Sequence, residues 1–445
     1  MSTNCTFIKT VYNIAIPVAL QSMLQSSFSI VDQIMIGQLG SISIAAVGIA
    51  SKFSSIYQVV VSAIAAVAGI MIAQYMGKQA KELVDRSLSL NLAIALLLAL
   101  GFTMACLAVP ESIMGIYTED TEMCSVASSY LRLTALTFLP AAGATLLSTM
   151  LRCMEKATLP LYASLIAAII NTVLNYILIF GKLGCPSMGV EGAAIATLLA
   201  QFANFFLILA GFFISYHQKG QHFCFSLNLN RHEYYQYLLI LLPMLITEFM
   251  WSLGENAYTS IYGHMGTIAC AAMTLTTPIQ GLLIGALSGL AQAAGILIGK
   301  SLGKGNYQEA YHHSRQLIIY GLLASLMLSA LLITAKDLYI NIYAVEAITK
   351  TTASHILFVF ALIAPIKVLN MILGGGIIRS GGRTKLIMWI DLIGTWIFGV
   401  PLGYWAAFVM NMPIAYTYLI LSLEEVIRLL ITFVVFKKKI WMQSL

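Results

Sequence analysis

Asp32 stands inside an apolar stretch that runs from about residue 11 to 36. Ser22, Gln25 and Ser29 precede it at spacings of three and four. Such spacings share one face of a helix. A carboxylate at the middle of a bilayer costs about 2.5–3.5 kcal/mol on insertion scales, so this face must line a cavity or another helix. Two chemistries suit it: reversible proton binding, or coordination of sodium. The plain alternative is a buried polar contact between helices, which Asn or Ser would supply at lower cost.

Three further groups have the same character. Glu248, Ser252, Glu255 and Thr259 fall on one stripe of a later apolar stretch, where the two carboxylates suit a cationic substrate or a coupling ion. Asn171 and Asn175 are one helical turn apart, and Thr197, Gln201 and Asn204 share a face of the next stretch. Neutral amide and hydroxyl oxygens beside one carboxylate suit a hard cation such as sodium. Hydrogen bonding between helices is the competing reading. Glu424 and Arg428, four apart, are expected to pair, and Lys367 and Asp391 to neutralise each other from successive helices.

The elements that must position these residues are membrane helices. The 445 residues are 59% hydrophobic and 9% charged, with mean hydropathy +0.87. A soluble domain this apolar could not cover its own surface. A helix needs roughly 20 residues to cross about 30 Å of hydrocarbon. Stretches of that length recur near 11–36, 51–75, 88–109, 127–150, 159–181 and 191–215, then near 236–262, 270–299, 315–335, 353–377, 385–409 and 413–436. The expected fold is an all-α integral membrane protein of twelve transmembrane helices. A membrane barrel would show short alternating segments instead.

Of the 24 Lys and Arg, 17 fall in the two termini and the even-numbered connections, while the third connection carries Glu111, Glu119, Asp120 and Glu122. The positive-inside rule then places both termini in the cytoplasm of a cell-membrane protein. The net charge of +6 reflects this topology, and nucleic acid is not an expected partner. Lys437, Lys438 and Lys439 are expected on the anionic leaflet. The first stretch is too long and too polar on one face for a cleaved signal. Seven scattered cysteines without a CxxC, and histidines in polar loops, give no metal-binding spacing.

A repeat organises the chain. At a shift of 226 residues Pro17 meets Pro243, Gly37 meets Gly263, Gly40 meets Gly266, and Gly77-Lys78 meets Gly303-Lys304. With one residue of slippage Arg152 meets Arg379. The expected domains are residues 1–215 and 236–445, each a six-helix bundle, joined by a polar, solvated cytoplasmic linker at 216–235. Six spans per half give both halves the same orientation, a known transporter plan. Fused halves make a monomer sufficient.

The runs Ile30-Val31-Asp32-Gln33-Ile34-Met35-Ile36-Gly37-Gln38-Leu39-Gly40, Asn171 to Gly181, Gly189 to Thr197 and Ile378 to Lys385, with Leu151-Arg152 and Pro401-Leu402-Gly403, together resemble the MATE family of multidrug and toxic-compound extrusion transporters over essentially the whole chain. The resemblance implies a V-shaped pair of bundles. It also implies secondary active export of bulky, hydrophobic or cationic compounds in exchange for sodium or protons, with no cofactor and no enzymatic activity. It maps the cation site on Asp32, Asn171, Asn175 and Thr197. Several prokaryotic members carry aspartate at the second position of the Asn pair, so Asn175 leaves this site one negative charge short. Glu248, before Trp251-Ser252-Leu253-Gly254, matches a bacterial subset. Gln25, Ser29, Glu248, Ser252 and Glu255 are the candidate substrate-cavity residues.

The expected mechanism is alternating access, with ion binding at Asp32 shifting the first helix at Pro17, where one backbone hydrogen bond is missing. A lipid-linked oligosaccharide flippase of the same superfamily would need a basic cavity for pyrophosphate. A membrane-embedded enzyme would need a His, Asp or Ser cluster that no pair of spans offers.

Overall fold

The computed structural model describes residues 2–228, 231–343 and 345–445, without the side chains of residues 2–6, 29, 30, 41 and 232. Ser29, a candidate cavity residue, therefore has its side chain outside the described set. Every element among the described residues is helical. The order is α1 (Ser2–Gly37), α2 (Ser41–Gly77), α3 (Lys81–Ala108), α4 (Pro110–Gly115), α5 (Thr121–Ala135), α6 (Phe138–Cys153), α7 (Thr158–Phe180), α8 (Gly189–Gln218), α9 (Arg231–His264), α10 (Thr267–Gly303), α11 (Tyr307–Asn341) and α12 (Ala347–Asn370). After α12 come the π-helical Met371–Ile378, α13 (Thr384–Leu392), the π-helical Ile393–Gly399, α14 (Val400–Tyr404), the π-helical Trp405–Val409, α15 (Ile414–Leu421) and α16 (Leu423–Lys437).

Among the described residues ten helices are long and apolar enough to cross a membrane, and α5 and α6, bent by 46° at a short break, make up to eleven if they count as one span. The twelfth expected span is split: α15 and α16 meet at Ser422. The protein is thus a multi-pass membrane protein of all-α fold. Polar residues end the helices where the chain leaves the apolar region. Asp120 caps α5 by accepting from the backbone N–H of Glu122 (2.9 Å) and Met123 (3.1 Å). Asn306 caps α11, accepting from the Glu309 N–H at 3.2 Å and donating to its carboxylate at 2.6 Å.

The repeat extends to the backbone. Gly40 and Gly266 have φ of 107° and 109°. Gln79 and Gly305, also 226 apart, are both left-handed at 56° and 73°. So are Glu155 and Gly382, one residue out of that register, at 64° and 74°. Equivalent turns therefore close equivalent helices in two pseudo-symmetric bundles, even where one copy uses glycine and the other does not.

The chain forms two compact units. One holds Met23–Ile72 and Lys81–Asn230; the other holds Met1–Ser22, Ala73–Ala80 and Arg231–Leu445. α1 and α2 thus each contribute to both. In the first unit Ile36, Ile179 and Ala193 form an apolar cluster with Tyr130 packed against it. A Cβ on Gly192 would collide with the Leu178 backbone, so the glycine lets α8 lie close on α7. The segment after α8 is strapped to α3, whereas the linker was expected to be solvated. Buried Asp85 accepts from Tyr216 Oη at 2.8 Å and the Cys224 N–H at 3.4 Å, and Lys81 donates to the His222 carbonyl at 2.8 Å. In the second unit Phe7 of α1 stacks on His313 at 3.7 Å, and Gly289 of α10 admits the Ala15 backbone.

Candidate functional site

The first unit brings Asp32, Asn171, Asn175 and Thr197 together from α1, α7 and α8. Asn175 is 1% exposed, and its Nδ2 donates to Asp32 Oδ1 at 2.7 Å and to Asn171 Oδ1 at 3.2 Å. Asn171 Nδ2 donates to Thr197 Oγ1 at 3.2 Å, and Thr197 donates to the Ala193 carbonyl, one turn back, at 2.9 Å. The local reason is periodicity: residues 171 and 175 stack on one face of α7, and the face of α8 that carries residue 197 meets it.

The Asn171 amide is satisfied at both ends when it is turned over. Turned over, its Nδ2 donates to Asp32 Oδ1 at 2.8 Å and Oδ2 at 3.2 Å, while its Oδ1 accepts from Thr197. In the orientation that donates to Thr197, Oδ1 takes that place opposite the carboxylate. Two acceptor oxygens so close repel unless a proton or a cation lies between them. The turned amide is therefore the arrangement that suits the ionised carboxylate. Asn175 Oδ1 is buried without a hydrogen-bond partner. It is an acceptor in reserve, and buried polar atoms of this kind call for a ligand or a functional reason.

Asp32, Asn171 and Thr197 line a cavity of about 230 Å³, together with Gln25, Ser164, Gln201 and Asn204. The stripe of Thr197, Gln201 and Asn204 thus faces one space, together with Gln25. Among the described residues no Lys or Arg lines this cavity.

The second unit arranges the other candidates differently. Glu248 and Glu255 do not form a two-carboxylate site. Glu248 pairs with Arg379 at 3.4 Å, and Glu255 interacts electrostatically with Lys367, Glu425 and Arg428. Ser252 is half-buried, and its carbonyl accepts from Asn256 at 2.7 Å. Lys367 and Asp391 do not neutralise each other. Asp391 lies 3.9 Å from Arg428, and Lys367 lies 4.0 Å from Glu425. The expected pair of Glu424 and Arg428 is present at 3.8 Å, and Arg428 also reaches Glu425 at 3.9 Å and Thr395. Tyr258 donates to Glu424 at 2.5 Å, and Asn370 donates to Glu425 at 2.8 Å. The basic and acidic groups alternate, from Glu248 and Arg379 through Asp391, Arg428 and Glu425 to Lys367, against the π-helical segment 393–399. Glu425 and Tyr258 were missed in the sequence. The neighbouring acids Glu424-Glu425 inside an apolar stretch were the available signal.

The MatE family profile matches residues 17–177 and again 243–405, two stretches that start 226 residues apart. The chain belongs to the MatE family. Relatives include the multidrug resistance protein NorM of Burkholderia vietnamiensis, 25% identical over 89% of this chain and 86% of its own length. An uncharacterised transporter, YisQ of Bacillus subtilis, is 24% identical over 98% of this chain and 95% of its own. A crystal structure of a MATE protein in complex with MaL6 superposes with a TM-score of 0.88 at 18% identity, covering 97% of this chain and 96% of that one. The fold of this MatE family member is therefore that of the MATE transporters.

Proposed function

We propose that the protein is a secondary active exporter of bulky, hydrophobic or cationic small molecules, driven by entry of sodium or protons at Asp32. The observation that carries this reading is the Asp32, Asn171, Asn175 and Thr197 group, of which Asp32, Asn171 and Thr197 line a cavity. There Asn175, and Asn171 with its amide turned over, both donate to the Asp32 carboxylate. The donor set fits a sodium ion: one carboxylate, with Asn175 Oδ1, Asn171 Oδ1 and Thr197 Oγ1 as neutral oxygens. It fits a proton equally, since protonated Asp32 can donate to Asn171 Oδ1. An ion shifts the conformational equilibrium only by its preference for one state, so export requires tighter binding in the outward-open form.

NorM, a relative over most of its length, supports multidrug compounds as the substrate class. Gln25 and Ser29 on α1 belong to the substrate path in this reading, as do Glu248, Ser252 and Glu255 on α9. Glu255 is the better of the two carboxylates for a cationic substrate because it is exposed, while Glu248 is engaged by Arg379. Both termini lie in the cytoplasm, residues 1–215 and 236–445 act as the two repeats, and the monomer in membrane lipid is the working unit. A flippase of lipid-linked oligosaccharides is the weaker reading, because the cavity lining carries no basic residue to meet a pyrophosphate.

Ethidium efflux from preloaded, pump-deficient cells tests the proposal. Collapsing the sodium or the proton gradient is expected to abolish efflux, and Asp32→Asn is expected to abolish it with normal membrane expression. Wild-type efflux rates in that variant would refute the role of Asp32.

A further inference from the structure

α2 is long and apolar enough to cross a membrane, yet its faces are reversed for a helix in lipid. Its apolar residues point inwards: Ala46, Ala50, Tyr57, Val61 and Ile64 are buried. Tyr57 fixes that face within the first unit. Its hydroxyl donates to the Phe138 carbonyl at 2.6 Å, and its ring lies 4.3 Å from that of Phe138 and 5.6 Å from that of Phe102. The exposed face carries Ser51, Lys52, Ser55, Gln58 and Ser62, and between residues 51 and 62 only Ile56 adds an exposed apolar side chain. Residues 51, 55, 58 and 62 are spaced by fours and threes, so they form one stripe, with Lys52 beside its first member.

The neighbouring α3 has a lipid face for comparison. Its exposed stripe is Leu97, Leu100, Met104 and Leu107, at the same helical spacing. One solvent cannot suit both stripes, because hydrocarbon offers no hydrogen bond to a polar group. Among the described residues the side chains of Ser51, Gln58 and Ser62 make no hydrogen bond within the protein. From residue 51 to residue 62 the stripe runs about 16 Å along the helix, more than half of roughly 30 Å of hydrocarbon. A long Lys side chain reaches back to a lipid headgroup, but a Ser hydroxyl or Gln amide at that depth does not. The stripe is therefore a water-facing wall. Lys52 is the only charged residue of α2. Among the described residues its ammonium has no ion pair and no hydrogen bond. Lys367 and Arg428, the bases inside the second unit, instead have carboxylates at 4.0 and 3.9 Å. An unpaired cation on a wet wall inside a membrane protein is open to a solute.

We propose that Lys52 is a specificity-determining residue that receives a carboxylate of the transported compound. Substrates with an anionic group beside their apolar or cationic part are then preferred over purely cationic ones. An ammonium attracts a carboxylate through charge-assisted hydrogen bonds and repels a bare cation. A single base matches one carboxylate and falls short of a pyrophosphate, since α2 holds no second one. The proposal rests on the transport reading for what passes along this face, but not for the wetness of the face itself.

Two measurements test it on the full chain. In a background lacking the seven native cysteines, Gln58→Cys and Ser62→Cys are expected to react with a charged, lipid-insoluble thiol reagent, while Leu100→Cys and Met104→Cys do not. Unreactive Gln58→Cys and Ser62→Cys would place the stripe in lipid, leave Lys52 to a headgroup phosphate and overturn the proposal. The second measurement compares, in nanodiscs, the binding of a rhodamine with a free carboxylate and of its methyl ester, read by fluorescence anisotropy. Lys52→Gln is expected to weaken binding of the acid about two- to fivefold, the range of one exposed ion pair, and to leave the ester as tight or tighter. Lys52→Arg is expected to keep the preference for the acid. An equal effect of Lys52→Gln on both compounds, or no binding of the acid to the unaltered protein, overturns the proposal. Binding needs no gradient. Should the acid bind through Lys52 and neither compound be exported under a sodium or proton gradient, the transport reading falls and the anion site stands.

Discussion

Gly77 and Gly303, 226 residues apart, occupy equivalent places in a single helix crossing. A Cβ on Gly77 would collide with the Lys300 carbonyl oxygen, and one on Gly303 with the Gln74 carbonyl oxygen. Residues 74 and 300 are themselves equivalent in the repeat, so the contact is a two-fold one written twice in the sequence.

Because the obstructing atoms are backbone, neither contact can be relieved by a rotamer change. Gly77→Ala and Gly303→Ala are each expected to destabilise the protein by about 1–3 kcal/mol. Gly101 in α3, where a Cβ meets nothing within 4 Å, is the control. Gly101→Ala is expected to be neutral or to stabilise by about 0.4–1 kcal/mol. Thermal unfolding in detergent, followed by tryptophan fluorescence, ranks the three.

Asn171 is expected to set ion affinity rather than fold. Asn171→Ala removes one amide of the site, leaving Asp32 with Asn175 as its donor. The apparent affinity for the coupling ion should fall about tenfold, the equivalent of one hydrogen bond of about 1.4 kcal/mol to a charged group. The concentration dependence of ion-driven efflux measures this, and an unchanged half-saturation would remove Asn171 from the site.

Asn175→Asp places a second carboxylate against Asp32, at the distance of a present hydrogen bond. Two carboxylates at that separation cannot both stay ionised without a ligand. The variant is expected to bind the coupling ion more tightly and to release it more slowly. Efflux should then saturate at lower ion concentration with a lower maximal rate. A rise in half-saturation would contradict the geometry.

Arg428 is held among Asp391, Glu424 and Glu425, and the last two are 5% and 8% exposed. Arg428→Ala strands these carboxylates and should cost about 3–5 kcal/mol. The exposed pair of Arg132 with Glu111 at 2.6 Å gives the contrast, since Glu111→Ala should cost no more than about 1 kcal/mol. Unfolding midpoints of the two variants in one detergent compare them directly.

Much of the candidate site was legible because it follows local rules. Asn171 and Asn175 stand four apart, Thr197, Gln201 and Asn204 repeat at fours and threes, and a carboxylate at residue 32 has no place on a lipid face. The second unit was less legible. Glu248 and Glu255 share a helix face in the sequence, yet Glu248 pairs with Arg379 while Glu255 only feels the charges of Lys367, Glu425 and Arg428. Lys367 and Asp391 sit on successive helices, yet both are drawn to the neighbourhood of α16. Partner choice among several charges depends on helix rotation and crossing distance, which no spacing along one helix reports.

Order along the chain was enough for the membrane helices, the doubled plan and the first-unit residues around Asp32, because apolar length and helical period act within one segment. The pairing of Arg428 with Asp391 and the meeting of Lys367 with Glu425 were decided by the packed structure. They join residues far apart in sequence, and burial makes each charge or amide take whichever partner the packing brings within reach.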